Sequence, residues 1–259
     1  MTRLRYIGCR HVHLDVTDST NDRAAAFASD RAHGGLVVTA GRQIRGRGQH
    51  GRVWDSPPGR SVLLSALLFP PPELRRPALL TAFAAVSVSE TIFKAIDLST
   101  RIKWPNDVQV NGKKVAGILI ECGVAAPNSP HAVVGIGLNV NQTADEFTRL
   151  GLADATSLSI AANRNLSVPE ITALLIEKLD AEYSRLLGGE LADLESRWRD
   201  GIGLLGKPVV AELVNGNQVN GRLSKLAFRG LCVVQPDDTT RHLSPEEVRH
   251  VHSAAADSG

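Results

Sequence analysis

A β-hairpin in the middle of the chain restricts the fold more than any other sequence feature. Asn111-Gly112 stands between two apolar runs, Val108–Val110 and Lys113–Glu121. Asn-Gly in such a setting is a strong hairpin signal, because both residues tolerate the positive φ of a tight turn. The chain is therefore expected to contain a β-sheet with neighbouring antiparallel strands. Further strands are predicted at Tyr6–Val16, Leu36–Ala40, Ser61–Phe69 and Val133–Asn141.

Three segments predict helices. Leu79–Ile96 is Ala-rich and has apolar side chains on more than one face, so we expect it to pack on a sheet. A capping box at Ser167 opens an amphipathic helix that runs to Leu187. A short helix is expected to begin at Asn21, after several residues that favour helix caps.

From Leu205 onward the chain consists of short strand-like runs separated by Asn-Gly and Asp-Asp turns. Such runs are typical of a small barrel. They lie at Val209–Leu213, Gln218–Leu223 and Leu231–Val234. We therefore predict a large domain over residues 1–203, a small β-barrel over 204–252 and a disordered tail over 253–259.

Composition narrows the class of protein. In this 259-residue chain, the hydrophobic share of 43% and charged share of 22% are those of an ordinary globular protein. A net charge of +2 argues against broad, non-specific nucleic-acid binding. No apolar run reaches the roughly 20 residues of a membrane helix. Cys9, Cys122 and Cys232 are odd in number and match no zinc spacing, which predicts reduced thiols and a cytoplasmic location.

Gly46–Trp54, here called the GRG loop, is the segment best suited to a polyanion. Its sequence, GRGQHGRVW, combines three glycines with two arginines and a tryptophan. Glycine lets main-chain N–H groups approach phosphate oxygens, and a guanidinium donates paired hydrogen bonds to carboxylate or phosphate. Trp54 suits stacking on a base. Taken alone, the same string fits a basic surface loop with a buried tryptophan.

Other polar motifs also have simpler structural explanations. Ser19-Thr20-Asn21 offers hydroxyls to a ligand, but these residues also cap helices. Asn106-Asp107 follows a proline and fits an Asx-type turn. Gly135 and Gly137 interrupt an apolar strand, which indicates close approach of a backbone or a ligand.

The hairpin carries two adjacent lysines just past its turn. Strand side chains alternate between faces, so only one of Lys113 and Lys114 points inward with the apolar set. Strict alternation places Lys114 and Gly117 on opposite faces. It does not identify the face that meets a ligand.

In this order, the motifs resemble those of the biotin protein ligases. The matches are Ser19-Thr20-Asn21, GRGQHGRVW, KWPND followed by KVAGILIE, GIGLNVN, and the small barrel. A GRG loop alone is a weak signal, but the ordered set is hard to meet by accident. The resemblance implies an α/β (α+β) fold with a mixed, seven-stranded catalytic sheet of the class II synthetase and lipoate ligase type. A Src-homology-3-like barrel would follow it.

The resemblance also implies a reaction. Such enzymes activate biotin with Mg-ATP to biotinyl-5′-adenylate, then pass the biotinyl group to one lysine of a biotin carboxyl carrier protein. ATP and Mg²⁺ are thus the implied cofactors, and a homodimer is an implied possibility. Both reactants of the first step are anions, so cations and N–H donors are needed to offset their repulsion. Partners among nucleic acids or membranes are not expected.

Site residues follow from the family motifs. The biotin ureido group is assigned to Ser19, Thr20 and Gln43, with Asn21 in the same motif. The carboxylate and phosphates are assigned to Arg47, to the backbone of Gly46 and Gly48, and to Lys114 between the two reacting groups. The adenine is assigned to Trp54 and Asn139. The phosphate and Mg²⁺ side is assigned to Lys103, Asn106 and Asp107. Room for the ligand is assigned to Gly117, Gly135 and Gly137.

Catalysis itself is expected from Lys114, Arg47, Asp107 and Lys103. Asp107 is the expected metal ligand and a candidate for handling the acceptor lysine. The family loop commonly has arginine where this chain has Gln49, so one positive charge beside the adenylate is missing. Backbone contacts at Gln49 would remain, and His50 and Arg52 are the two candidates to compensate for the missing charge. About eighteen residues precede Ser19, too few for the winged helix-turn-helix of some relatives, so we expect a ligase without operator binding.

Two other functions remain open. A ligase or transferase for lipoate or octanoate would use a related fold, but KWPND, the GRG loop and the barrel fit the biotin enzymes better. A non-enzymatic, biotin-responsive regulator would require a DNA-binding segment. Lys114 and Arg47 are both present, which disfavours a catalytically inactive relative.

Overall fold

A mixed sheet forms the larger part of the protein. The structure is a computed structural model that describes residues 3–125 and 129–254. The strands are β1 (His11–Thr17), β2 (Val37–Gln43), β3 (Ser61–Leu68), β4 (Arg101–Lys103), β5 (Asp107–Val110), β6 (Lys113–Val124) and β7 (Pro130–Asn139). Their order is β1-β2-β3-β7-β6-β5-β4. Only β1 and β2 pair in parallel, so the expected seven-stranded mixed sheet is confirmed.

Helices cover both faces of this sheet. They are α1 (Thr20–Ala25), α2 (Pro77–Ile96), α3 (Ala144–Arg149), α4 (Leu158–Ala162), α5 (Val168–Leu187) and α6 (Leu191–Ile202). On one face, α2 packs against α5 and α6 and shares the main core with the sheet. On the other face, α1 packs against β2 and β3 over a smaller apolar cluster. The predicted long helices are confirmed, and Ser167 accepts the N–H of Glu170 as expected of a cap.

One helix departs from an expectation drawn from composition. The sequence predicts no apolar run as long as a membrane helix. By length and composition alone, however, α2 is long and apolar enough to cross a membrane. Of its 18-residue apolar window, 67% is buried inside the protein. This helix is a core helix, because its apolar residues face α5, α6 and the sheet.

A second, antiparallel sheet follows α6. Its strands are β8 (Pro208–Leu213), β9 (Gln218–Ala227), β10 (Gly230–Val234), β11 (Thr240–Leu243) and β12 (Val248–Ser253). The order β11-β10-β9-β8-β12 fits the expected Src-homology-3-like domain. The predicted tail begins too early, because Ser253 still pairs with Val209 in β12. The rest of that predicted tail, from residue 255, lies outside the described residues.

Aromatic packing joins the two sheets. Trp198 on α6 lies 5.7 Å from Trp104 and 5.2 Å from Phe228, measured between ring centroids. Trp104 Nε1 donates to the carbonyl oxygen of Val248 at 3.4 Å. Because Trp104 belongs to the KWPND motif, these contacts place β12 beside that motif.

The amino-terminal segment is held by one buried carboxylate. Asp180 on α5 accepts the backbone N–H groups of Arg5, Tyr6 and Ile7 at 2.9, 2.6 and 2.7 Å. Those groups are therefore not available to a strand partner. For this reason the first strand begins at His11 and not at Tyr6, as the apolar pattern had predicted.

We predict that Asp180→Ala lowers the free energy of unfolding by about 3 kcal/mol, because three N–H groups lose a charged acceptor. Asp180→Asn is the matched variant, since the amide oxygen can still accept from Tyr6 and Ile7. It should lower the free energy by about 1 kcal/mol. Urea unfolding measures both values. Wild-type stability in the alanine variant would show that Asp180 does not hold the segment.

Candidate active site

A cavity of about 360 Å³ lies over the sheet, between the GRG loop, β6, β7 and the KWPND segment. Every predicted site residue except Gly46 lines it. These residues are Ser19, Thr20, Asn21, Gln43, Arg47, Gly48, Gln49, Arg52, Trp54, Lys103, Asn106, Asp107, Lys114, Gly117, Gly135, Gly137 and Asn139. Gly46 lines an adjoining groove of about 860 Å³. The structure thus brings motifs that are distant in sequence to one place.

The GRG loop folds back on itself as a tight hairpin. The Trp54 N–H donates to the Gly46 oxygen at 3.0 Å, and the Gly48 N–H donates to the Arg52 oxygen at 2.7 Å. A β-carbon on Gly46 would overlap the carbonyl oxygen of Trp54. Of the three loop glycines, only Gly51 has a positive φ, +74°. Closure of the loop therefore requires Gly46, whether or not its backbone also meets a ligand.

Hydrogen bonds orient the polar residues assigned to the ureido group. Thr20 donates its backbone N–H and its hydroxyl to Gln43 Oε1, at 2.7 and 3.0 Å. These bonds fix the carbonyl end of the Gln43 side chain and leave its NH₂ group as the end that can serve a ligand. Ser19 occupies the N-cap position of α1 but makes no capping hydrogen bond. Capping therefore does not explain its hydroxyl.

A buried serine supports this part of the cavity. Ser65 on β3 is fully buried and its hydroxyl lies 2.8 Å from Thr20 Oγ1 and 2.5 Å from Asn21 Oδ1. Asn21 Nδ2 in turn donates to Glu121 Oε2 at 2.7 Å. Ser65 is not predicted from the sequence, because a single serine in a long apolar strand belongs to no motif.

The guanidinium of Arg47 is hydrogen-bonded to two carboxylates. Its Nη1 and Nη2 atoms donate to the two oxygens of Asp22, both at 2.7 Å. Nη2 also lies 3.1 Å from each oxygen of Glu121. The hydrogen bonds from Arg47 lower the pKa of Asp22. Arg47 thus fastens the GRG loop to α1 and β6, and an incoming anion must compete with these partners.

Glycines make room for protein side chains in the cavity floor. A β-carbon on Gly137 would overlap the Trp54 indole, and one on Gly117 would lie 2.8 Å from the same ring. A β-carbon on Gly135 would overlap the side chain of Asn21. We had assigned all three glycines to ligand clearance. Their immediate neighbours are Trp54 and Asn21. The glycines therefore make room for these two side chains, and they affect the space for a ligand only through the positions of Trp54 and Asn21.

A β-bulge changes the face on which Lys114 lies. Val108 and Gln109 of β5 pair with Ala116 and Lys114 of β6, so Val115 is an extra residue. Lys114 Nζ lies 3.3 Å from the position of a β-carbon on Gly117. The predicted separation of Lys114 and Gly117 is therefore wrong, because the bulge interrupts the alternation of side chains.

Lys114 makes two contacts at the centre of the cavity. Its Nζ atom lies 2.7 Å from Asp107 Oδ1 and 5.6 Å from the centroid of the Trp54 ring. Asp107 Oδ1 is buried and, within the described residues, has no partner with hydrogen-bond geometry. The ammonium, the carboxylate and the indole therefore form one compact group whose charged atoms are only partly satisfied.

Two asparagines are engaged mainly within the protein. Asn106 Nδ2 donates to the Ile118 oxygen of β6 at 2.8 Å, which is a bond across the sheet and not the local Asx-type turn expected from the sequence. Asn139 donates to the Thr156 oxygen at 3.1 Å and accepts from Gln142 at 2.8 Å. Both residues line the cavity, but their side-chain amides already have protein partners.

Several cavity residues were not predicted from the sequence. The segment after α3 contributes Leu152, Asp154 and Ala155, and His250 comes from β12. Backbone bonds link this segment to Lys114, whose N–H donates to the Asp154 oxygen at 2.8 Å. No motif marks these positions, because they reach the cavity only through tertiary pairing.

Comparison with known proteins gives concordant results. The family described as biotin/lipoate A/B protein ligase matches residues 13–139. A bifunctional ligase/repressor of Bacillus spizizenii is 32% identical over 254 residues, which are 98% of this chain and 75% of that protein. The biotin–[acetyl-CoA-carboxylase] ligase of Mycobacterium tuberculosis is 31% identical over 250 residues, 92% of this chain and 89% of the relative.

A solved structure shows the same fold. The biotin protein ligase from Aquifex aeolicus in complex with biotin and ATP superimposes with a TM-score of 0.77. It is 24% identical in sequence, and the match covers 95% of this chain and 100% of that one. Both sheets therefore belong to a known architecture.

We predict that Gly137→Ala displaces the Trp54 indole and lowers the free energy of unfolding by about 2 kcal/mol, because the cavity floor becomes overpacked. Gly188→Ala is the matched control, since Gly188 ends α5 with an ordinary φ of −76°. The control should change stability by less than about 0.5 kcal/mol. Chemical unfolding and tryptophan emission measure the two effects. Equal stability and unchanged emission in both variants would contradict the close packing of Trp54 on Gly137.

Proposed function

We propose that this chain, which belongs to the biotin protein ligases of the biotin/lipoate A/B protein ligase family, uses the cavity described above to activate biotin and transfer it to a carrier lysine. The observation that carries the site assignment is the position of Lys114. Its ammonium lies beside Asp107 and Trp54, in the same cavity as Ser19 and Gln43.

Biotin recognition is assigned to the end of the cavity near α1. The ureido group has one carbonyl acceptor and two N–H donors. The Gln43 NH₂ group can donate to such a carbonyl, since Thr20 already occupies Gln43 Oε1. The Ser19 hydroxyl, which makes no capping bond, can accept from an N–H group. This arrangement supports a compact polar head group over an apolar strand surface.

Activation joins the biotin carboxylate to the α-phosphate of ATP. A carboxylate oxygen attacks phosphorus, the bond to the β-phosphate oxygen breaks, and pyrophosphate leaves. Lys114 offsets the negative charge of both groups as they approach. Arg47 adds a second cation when its bonds to Asp22 and Glu121 are exchanged for bonds to the substrate. The exchange keeps the guanidinium paired throughout, which limits its desolvation cost.

One observation supports Asp107 as a ligand of Mg²⁺. Its Oδ1 atom is buried and, apart from the ion pair with Lys114 at 2.7 Å, has no polar partner among the described residues. Mg²⁺ commonly binds one or two carboxylates together with substrate phosphates, and it would neutralise charge on the phosphate chain. The described part of the chain has no cluster of three or more His, Cys, Asp or Glu side chains. Asp107 would therefore hold the ion jointly with ATP, while Lys103 faces the same phosphates.

Transfer requires the acceptor lysine to reach the adenylate. Its amine attacks the carbonyl carbon, the bond to the phosphate oxygen breaks, and AMP leaves. Asp107 is the proposed acceptor of the amine proton, because its carboxylate lies beside Lys114. The adjoining groove of about 860 Å³ leads from the GRG loop to the second sheet and provides a route by which the acceptor lysine of a carrier domain can approach the cavity.

Partners and location complete the proposal. We assign a biotin carboxyl carrier protein as acceptor and a cytoplasmic location, supported by three free cysteines. The net charge of +2 supports partners other than nucleic acid. A homodimer would use one of the sheet edges, β1 or β4.

The first test is substrate choice. The purified protein is incubated with Mg-ATP and either biotin or lipoate, and pyrophosphate release is measured together with label transfer to a biotin carrier domain. Biotin-dependent release with transfer to a single carrier lysine is the expected result. Pyrophosphate release with lipoate alone would show that the protein is a lipoate ligase. Release with neither compound would overturn the proposed function.

Lys114→Ala should slow biotin-dependent pyrophosphate release by at least about 100-fold, because a cation at the reacting groups is removed. Its stability should fall by about 1 kcal/mol or less, since one partly exposed ion pair is lost. Lys113→Ala is the matched control, because Lys113 is exposed on the neighbouring position of β6. The control should react like the wild type. Normal release by Lys114→Ala would refute the role assigned to Lys114.

A further inference from the structure

One residue of the second sheet reaches the cavity. Among the described residues that line it, His250 alone comes from the five-stranded sheet. It lies on β12, opposite Glu212 of β8, next to an irregularity in the pairing between Val248 and His250. Trp104 holds Val248 through its indole N–H. His250 is therefore positioned by the contacts that join the two sheets.

The surroundings of His250 are those of an anion site. Lys103 of β4 and Arg52 of the GRG loop face it with positive charge, and both line the same cavity. Glu212 faces it from β8, where that carboxylate also lies 3.4 Å from His252 Nε2. On the cavity side, two cations and an imidazole thus meet at one wall.

One ring nitrogen of His250 is not satisfied by the protein. Its Nδ1 atom is buried and has no hydrogen-bond partner among the described residues. Burial is the main cause that lowers the pKa of His250, while Glu212 and the Trp104 backbone raise it and Lys103 and Arg52 lower it. The lowered pKa favours the neutral imidazole. A neighbouring anion would favour its protonated form.

The assignments of Trp54 and Lys114, together with the position of Asp107, determine which part of a ligand meets this wall. Trp54 is assigned to the adenine, and Lys114 to the reacting carboxylate and α-phosphate. Lys103 pairs with Asp107 across β4 and β5, and Asp107 pairs with Gly117 across β5 and β6. The wall with Lys103 and His250 thus lies beyond the reacting centre, toward the second sheet.

We infer that His250 binds the β- and γ-phosphates of ATP, together with Lys103 and Arg52, and so holds the pyrophosphate that leaves. The inference rests on the proposed function. The imidazole takes up a proton as the phosphate chain binds and donates a charge-assisted hydrogen bond to it. The small sheet thereby supplies a residue to the active site itself.

The test measures ligand binding, proton uptake and folding. Calorimetry with α,β-methylene-ATP, Mg²⁺ and saturating biotin is performed on the wild type, His250→Gln and His250→Ala. His242→Ala is the control, because His242 is exposed on β11 of the same sheet and outside the cavity. Buffers of different ionisation enthalpy report proton uptake, and thermal melts report folding. Biotin affinity is measured separately for each variant.

We expect His250→Gln to weaken binding of the analogue about tenfold near pH 6.5, because a charge-assisted bond is lost. Wild-type binding should strengthen from about pH 8 to about pH 6, and the Gln variant should show a shallower pH dependence with less proton uptake. Biotin affinity should stay within about twofold of the wild type, as it should in the control.

Two results would overturn the inference. One is a His250→Gln variant with wild-type analogue affinity and proton uptake. The other is an equal loss of biotin and analogue affinity with a lowered melting temperature, which would show that His250 only supports the contact between the sheets. Failure of the proposed function is a separate outcome, because wild-type protein would then show no biotin-dependent pyrophosphate release.

Discussion

A single extra residue in β6 determines the side of the sheet that Lys114 faces. Val115 has no partner on β5, so Lys114 and Gly117 share the cavity face while Val115 and Ala116 are both buried in the core. Without the bulge, the alternation of side chains would separate the lysine from the glycine that makes room for Trp54. The ion pair with Asp107 depends on the same geometry. The bulge therefore couples the fold of a buried strand to the placement of the Lys114 ammonium in the cavity.

Both principal cations of the site are paired with carboxylates before any substrate is present. Arg47 is held by Asp22 and Glu121, and Lys114 lies beside Asp107. Substrate anions can replace these carboxylates, so each cation keeps an anionic partner throughout binding. The same carboxylates link the GRG loop to Asn21, since Glu121 accepts from both Asn21 and Arg47. The residues proposed to bind biotin and the GRG loop are thus connected through one hydrogen-bonded network.

The sequence predicted most of the residues that line this cavity because the motifs are local. Strand, loop and turn signals placed Gly46–Trp54 and the Asn111-Gly112 hairpin correctly, and the ordered motifs identified the family. The exceptions depend on tertiary structure. A bulge cannot be seen in a run such as Lys113–Glu121, and Asp180 fastens the amino terminus across the chain. The role of Ser65 follows only from Thr20 and Asn21, whose side chains its hydroxyl contacts.

The contact between the two sheets places one residue of the small domain, His250, at the wall of the cavity. Trp198 packs between Trp104 and Phe228, so α6 holds both the KWPND motif and the second sheet. The bond from Trp104 to Val248 then aligns β12 two residues before His250. A domain that served only as an appendage would need no such connection to a motif at the phosphate side. Because aromatic packing of this kind is rigid and directional, it can hold an imidazole at a cavity wall more accurately than a flexible loop could.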